Sequence, residues 1–216
     1  MKTDFASRLT KLGTETAFAV SNDAAEFAAE GNKVYPFHLG DINIPTPGNI
    51  MEAANRALQD GKTGYNPSVG IPQLRDALAE IIGFERGISL TRENVVVQPG
   101  GKPVISKFIQ ALMNPGDGVL YPNPGYPIYE SQIKFHGGIP LPYGYLPKPN
   151  GFSIDRDRVE EMIDSNTRLL VYNNYQNPMG GESDQDEMDW IADLALRHDL
   201  WDCFYTHLTL PTICRG

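Results

Sequence analysis

The pattern of apolar positions changes its period repeatedly along the second half of the chain. Short apolar runs predict strands at residues 95–98, 119–121, 139–143 and 169–172. Between and after these runs, apolar residues recur with the spacing of amphipathic helices at residues 101–113, 127–135, 156–163 and 184–197. Strands that alternate with helices imply parallel crossovers. We therefore predict an α/β fold with three layers, in which a mainly parallel sheet is flanked by helices.

The first part of the chain predicts helices with no strands between them. Helical spacing covers residues 17–29 and 50–58, and Pro72 opens a further helix as a first-turn proline. Residues 34–39 look extended, and the prolines that precede Gly48 break this extension. We therefore expect an irregular N-terminal segment before the α/β body.

Composition excludes several classes of function. The chain has 216 residues and a formal net charge of −9, which is the wrong sign for a surface that binds nucleic acid phosphates. No apolar run approaches the roughly 20 residues that span a bilayer, and the first residues contain no apolar signal core. We expect a cytoplasmic protein that binds neither nucleic acid nor membranes. Two late cysteines and scattered histidines predict neither a disulfide framework nor a metal site.

The junction after the predicted strand at residues 95–98 is the most informative segment. Pro99, Gly100 and Gly101 follow this strand, and an amphipathic helix begins directly after them. Glycines there let the backbone approach an anion, and the N–H groups and dipole of the helix N-terminus favour negative charge. We interpret the junction as a phosphate-binding turn. The alternative is a loop whose glycines only satisfy the backbone angles.

Two further polar segments follow predicted strands. Tyr126 comes after the strand at residues 119–121, and Asn177 comes after the strand at residues 169–172. Ligands of parallel sheets bind outside the carboxyl ends of the strands, so we expect Tyr126, Asn177 and the glycine turn to meet at one edge. The alternatives are that Tyr126 is a core residue and that Asn177 only opens a turn before Pro178.

Motifs in a fixed order connect these segments to a known family. They are Tyr65-Asn66-Pro67-Ser68-Val69-Gly70-Ile71-Pro72-Gln73-Leu74-Arg75, Gly100-Gly101-Lys102, Asn114-Pro115-Gly116-Asp117, Pro122-Asn123-Pro124-Gly125-Tyr126 and Asn177-Pro178-Met179-Gly180. Together they resemble the class I/II aminotransferases, which are pyridoxal-phosphate enzymes of the aspartate aminotransferase fold. The first motif is similar to the family signature Tyr-x-x-x-x-Gly-x-x-x-Leu-Arg, and Met179 stands where the family usually has threonine.

The resemblance implies roles for the residues at the sheet edge. Gly100, Gly101 and Lys102 would offer backbone N–H groups to the phosphate of the cofactor, and the Lys102 side chain receives no role. Tyr126 would stack on the pyridine ring. Asn177 would donate a hydrogen bond to the phenolic oxygen of the ring.

The resemblance also implies two roles outside that edge. Tyr65 would reach the phosphate in a neighbouring subunit, which implies a homodimer with shared sites. Gly40 lies where the family places a glycine against the substrate carboxylate. The residues after Gly40, which begin with Asp41 and Ile42, depart from the usual Glu-Pro-Asp-Phe pattern.

Three residues that the family's chemistry needs are not recognisable. They are a lysine for the Schiff base, an acidic residue at the pyridine nitrogen and an arginine for the substrate carboxylate. The acid is expected after the strand that begins at Leu200, but the sequence from Asp202 onward does not fit. We therefore assign no catalytic residue and expect residues 202–216 to be a foreign or frame-shifted tail. The alternative is a genuine terminal strand.

The resemblance divides the chain and implies its function. Residues 1–48 would belong to the small domain or dimer interface, and residues 49–201 would form part of the large, cofactor-binding domain. The parent enzyme would transfer an amino group between an amino acid and a 2-oxo acid through pyridoxal phosphate, while this chain alone would be inactive. The alternatives are a lyase or decarboxylase of the same fold, or a non-catalytic or inert module that binds a phosphate ligand.

Overall fold

The computed structural model describes residues 4–13, 16–37, 40, 44–149 and 151–206. The helices are α1 (Thr16–Ala29), α2 (Gly48–Gln59), α3 (Pro72–Arg86), α4 (Gly101–Leu112), α5 (Ile128–Phe135), α6 (Arg156–Met162) and α7 (Gln185–Arg197). The strands are β1 (Gly118–Pro122), β2 (Ile139–Tyr143), β3 (Tyr145–Lys148), β4 (Gly151–Ile154), β5 (Thr167–Asn174) and β6 (Trp201–Thr206). Short 3-10 helices cover Ser7–Lys11 and Arg92–Asn94.

The main sheet is parallel and has the strand order β2-β1-β5-β6. Every residue of β1 is buried, and so is every residue of β5 except Arg168. Strands that are covered on both faces consist of consecutive apolar residues. This explains why the central residues of β1 and β5 are recognisable in the sequence. The prediction of an α/β fold with a mainly parallel sheet between helices is confirmed.

Side chains alternate between the two faces of the sheet and form two apolar layers. On one face, Val119 and Val171 pack with Ile105 and Ile109 of α4 and with Tyr129 of α5. The opposite layer contains residues of β1, β5, α6 and α7, among them Leu120, Leu170, Val159, Ile191 and Leu194. These two layers fix the sheet between its helices.

The predicted helices of the first part of the chain are present, with bounds that differ by a few residues. Pro72 is the first residue of α3, as predicted. Helix α2 buries none of its residues, and its apolar side chains Ile50, Met51 and Leu58 are exposed. Residues 34–37 form no regular element, and residues 38 and 39 lie outside the described part. Of the helices that the structure describes, none combines the length and the apolar character that crossing a membrane requires.

The predicted strand at residues 95–98 is wrong. These residues run without a ladder partner among the described strands, and the Val96 side chain is 59% exposed. The Val97 N–H donates instead to the carbonyl of Val69 at 3.0 Å. An apolar run becomes a strand only where another strand offers hydrogen bonds, and the apolar pattern carries no information about that partner.

Strands β3 and β4 form an antiparallel hairpin that the apolar pattern did not predict. Tyr145 pairs with Ile154, and Lys148 pairs with Gly151 across the turn. Gly151, which begins β4 opposite Lys148, has a positive φ of 137°, a backbone conformation that favours glycine. This hairpin packs Ile154 into the core layer beside α7.

Strand β6 continues the sheet beyond the expected tail boundary at Asp202. Asp202 pairs with Leu170, and the ladder with β5 extends to Thr206. Asp202 is a poor fit to this strand, because its Oδ1 atom is buried without a hydrogen-bond partner. The foreign origin of residues 202–216 stays a prediction, and residues 207–216 lie outside the described part.

We expect Asp202 to make the stability of the chain depend on pH. Burial raises the pKa of its carboxyl group from 3.8 to about 8, so the unfolded chain loses this proton at lower pH than the folded chain. The free energy of unfolding should therefore fall as pH rises from about 4 to about 8, by on the order of 3–5 kcal/mol. Urea unfolding across this range checks the prediction.

Asp202→Asn should remove this part of the pH dependence, because an amide does not titrate. Asp157→Asn is the matched control, since Asp157 is exposed on α6. If the wild-type chain and Asp202→Asn show parallel stability curves, the carboxyl group is not desolvated in the folded chain.

Candidate functional site

The glycine turn at the start of α4 has the geometry of an anion site. Gly100 immediately precedes α4 with φ 92° and ψ 166°, and no side chain caps the helix. A residue other than glycine would be strained at this φ. The first N–H groups of a helix have no acceptor within the helix, and they point outward at its positive end. The turn therefore has the type of backbone that the predicted phosphate roles of Gly100 and Gly101 require, and these roles stay predictions. The Lys102 side chain is exposed.

Tyr126 lies in the loop that follows the carboxyl end of β1. Its half-buried ring packs against the core layer between α4 and the sheet, and it meets the Tyr129 ring edge to face at 6.0 Å. The loop turns sharply at Gly125, where a Cβ would lie 2.0 Å from the carbonyl oxygen of Pro122. Only glycine fits that position, which explains why glycine precedes Tyr126. Tyr126 and the first turn of α4 thus lie on the same side of the sheet.

Asn173 is a buried polar residue at the carboxyl end of β5 that the sequence analysis did not single out. Strand alternation places it on the face of Leu169 and Val171, which is the face covered by α4. Its side chain is 1% exposed, and neither Oδ1 nor Nδ2 has a hydrogen-bond partner in the described part of the chain. Buried amides are normally satisfied. This end of the sheet therefore has unused capacity to bind a polar group.

Asn177 is exposed in the loop between β5 and α7, and a buried network holds both ends of this loop. The Ser183 N–H donates to Asn174 Oδ1 at 3.2 Å, and the Ser183 hydroxyl donates to Glu187 Oε2. The backbone N–H of Ile154 donates to Glu187 Oε1 at 2.6 Å. Glu187 is 1% exposed, so its carboxylate depends on these two donors. The network attaches the loop to both α7 and β4.

Tyr65 and Gly40 are both exposed. The Tyr65 side chain is fully exposed in the loop before α3. Gly40 is exposed, and a Cβ built there would meet no atom within 4 Å. The roles of Tyr65 and Gly40 therefore stay predictions, as do the ligand contacts of the residues that lie at the edge.

Tyr121 and Glu130 are ionisable residues that lie close to Tyr126 in the sequence. Burial, reinforced by the Glu130 carboxylate, raises the pKa of the Tyr121 phenol to about 12, so this phenol stays neutral. Glu130 is itself paired with Lys134 one turn further along α5. Among the described residues, no cluster of histidine, cysteine or carboxylate side chains could hold a metal ion.

Replacing Glu187 should loosen the loop that carries Asn177. Glu187→Gln removes a buried carboxylate that accepts from Ser183 and Ile154, so we expect a loss of about 2 kcal/mol in unfolding free energy. Amide hydrogen exchange in residues 175–183 should accelerate more than exchange in β1. Glu182→Gln is the matched control, because Glu182 is exposed in the same loop. Equal exchange in the two variants would show that Glu187 does not anchor the loop.

Comparison with known proteins identifies the family of the chain. Residues 33–204 match the family described as "Aminotransferase class I and II". The aspartate/prephenate aminotransferase of Thermus thermophilus is 36% identical over 204 residues, which cover 93% of this chain and 53% of the relative.

Solved structures show the same relationship. Thermus thermophilus aspartate aminotransferase with maleate superimposes with a TM-score of 0.88 at 33% identity, over 94% of this chain and 53% of that one. Alanine aminotransferase from Pyrococcus furiosus gives a TM-score of 0.87 at 26% identity, over 93% of this chain and 51% of that one. The chain thus spans about half the length of the relatives that it matches. It belongs to the class I and II aminotransferases, a family whose members depend on pyridoxal phosphate.

Proposed function

We propose that this chain is the cofactor-binding part of an enzyme that transfers an amino group between an amino acid and a 2-oxo acid. The observation that carries the proposal is the uncapped glycine turn at the start of α4, on the same side of the sheet as Tyr126 and the unsatisfied amide of Asn173. The relatives named as aminotransferases over the same residues support it.

The residues present fit pyridoxal phosphate. Gly101 and Lys102 would hold its phosphate through backbone N–H groups at the positive end of α4. The Gly100 N–H, predicted to join them, donates instead to the Gln98 carbonyl at 3.0 Å, so Gly100 would shape the turn. Tyr126 would lie against the pyridine ring and fix its plane. Asn177 would donate a hydrogen bond to the phenolic oxygen of the ring, and the buried network at Ser183 and Glu187 would keep its loop in place. When bound, pyridoxal phosphate withdraws electrons from the α-carbon of an amino acid.

We propose further that this chain alone does not transaminate. Asp202 cannot serve as the acid at the pyridine nitrogen, because it is the second residue of β6 and pairs with Leu170, away from the carboxyl ends of the strands. Asn173 lies near the carboxyl end of β5, three residues beyond Leu170. Along a strand, three residues correspond to roughly 10 Å, so Asp202 is about that far from the edge where the ring would bind. No lysine of the chain is assigned to the ring.

The parent enzyme is proposed to be a cytoplasmic homodimer. Tyr65, which is fully exposed, would reach the phosphate in the neighbouring subunit, and Gly40 would lie against the substrate carboxylate. The uncovered apolar side chains of α2 are compatible with a subunit contact in this part of the chain.

Binding of pyridoxal phosphate, measured by equilibrium dialysis, tests the glycine turn. Gly100→Ala should weaken the affinity about tenfold, because alanine is strained at a φ of 92°. Gly61→Ala is the matched control, since Gly61 also has a positive φ, has no atom within 4 Å of a built Cβ, and lies at the end of α2. Equal affinities of the two variants would contradict phosphate binding at this turn.

Borohydride reduction tests the proposal that the chain is inactive. The chain incubated with pyridoxal phosphate and then reduced should contain no stoichiometric adduct at a single lysine, and it should not convert an amino acid in the presence of a 2-oxo acid. A stoichiometric adduct at one lysine together with turnover would overturn the proposal. An adduct with elimination or decarboxylation of the amino acid would instead indicate a different enzyme of this fold.

A further inference from the structure

The Arg75 side chain of α3 makes hydrogen bonds to the backbone that leads into the glycine turn. Its Nε donates to the carbonyl oxygen of Val95 at 2.8 Å, and its Nη2 donates to the carbonyl oxygen of Arg92 at 2.5 Å. The residue is only 8% exposed. A planar guanidinium can bind two carbonyl oxygens in fixed directions, so it holds the backbone both in position and in orientation.

Charged pairs on the surface reinforce this contact. The Glu93 carboxylate lies 3.6 Å from the Arg75 guanidinium, and Arg92 makes two hydrogen bonds to the Asp76 carboxylate, at 2.8 and 2.6 Å. Exposed pairs of this kind contribute little to stability. The buried hydrogen bonds of Arg75 are therefore the main attachment of the 3-10 helix at Arg92–Asn94 to α3.

Gly70 provides a second point of contact, closer to the turn. Its φ is 102°, and a Cβ there would lie 2.9 Å from both Cβ and Cγ2 of Val97. The Val97 N–H donates to the Val69 carbonyl at 3.0 Å. Val97 can approach this closely only because residue 70 is glycine. Gly70 and Arg75 thus hold two points, Val97 and Val95, of the same extended segment.

These contacts take the place of a strand ladder. Residues 95–98 pair with no described strand, so the sheet does not fix their position. From Val97 the chain passes through Gln98, whose carbonyl accepts from the Gly100 N–H at 3.0 Å, directly into the turn. A shift of Val97 would therefore displace the backbone N–H groups of the glycine turn.

We propose that Gly70 and Arg75 are positioning residues that fix the glycine turn for phosphate binding. The proposal rests on the proposed function and assigns a physical role to the glycine and the arginine of the signature at residues 65–75. Both residues act through the backbone of residues 92–97 and not through contact with the cofactor.

Two ligands separate the effect on the phosphate from effects on the ring. The affinities of pyridoxal phosphate and of pyridoxal, which lacks the phosphate, are measured for the wild-type chain and for Arg75→Met. We expect Arg75→Met to reduce the preference for pyridoxal phosphate over pyridoxal at least tenfold, with the affinity for pyridoxal unchanged. Arg75→Lys should restore part of this preference, because lysine can still donate to one carbonyl. Glu80→Gln, a control at an exposed position of α3, should leave the preference unchanged.

Amide hydrogen exchange tests, without a ligand, whether Gly70 and Arg75 fix the glycine turn. In Arg75→Met and in Gly70→Ala, exchange in residues 96–102 should accelerate at least tenfold, while β1 and β5 keep their wild-type rates. A turn that exchanges at the wild-type rate, or a core that accelerates as much as the turn, would overturn the inference. An unchanged preference for pyridoxal phosphate in Arg75→Met would overturn it as well. If the wild-type chain showed no preference for pyridoxal phosphate, the proposed function would fail, and the exchange rates alone would decide whether Gly70 and Arg75 fix the turn.

Discussion

Parallel pairing of β5 with β1 on one side and β6 on the other is the constraint on which the rest of the structure depends. The two faces of β5 supply Leu169 and Val171 to one apolar layer and Leu170 and Tyr172 to the other. Helices on either side are positioned by these layers. The polar residues that end β5 are thereby held at a defined edge, next to the loop after β1.

Two kinds of contact position the edge that carries the candidate site. The loop with Asn177 and the loop with Tyr126 follow strands, so their starting points are set by the sheet. The glycine turn follows a segment that has left the sheet, and side-chain contacts from α3 hold that segment instead. The same edge therefore depends on strand pairing at some positions and on one buried arginine at another.

Helices and strands whose apolar residues recur with a regular spacing were predictable from the sequence. Segments whose conformation depends on a hydrogen-bonded partner strand were not. The buried cores of β1 and β5 and the helices α3, α4 and α7 follow directly from apolar spacing. The extended residues 95–98 look like β1 in sequence, because the pattern records burial tendency and not hydrogen-bond partners. The β3–β4 hairpin was missed because its two strands are only four residues long and contain a proline and a glycine, so they show no clear apolar alternation.

The site was predictable only in part, for a related reason. Gly100 stands out because glycine is required by its backbone angles, and Tyr126 and Asn177 stand out because they follow strands. Asn173, Ser183 and Glu187 carry no local signal, since a buried polar side chain is recognised only when its distant partners are known. The roles proposed for Tyr65 and Gly40 would depend on contacts beyond those within this chain's described residues.

The carboxylate of Glu187 joins two parts of the molecule that are distant in sequence. One oxygen accepts from the backbone of β4, and the other accepts from the hydroxyl at the end of the Asn177 loop. The hairpin and the loop are therefore mechanically coupled, although no strand pairing links them. A ligand that shifts the loop would therefore shift the hairpin as well, and the backbone amide of Ile154 would report binding at the Asn177 loop.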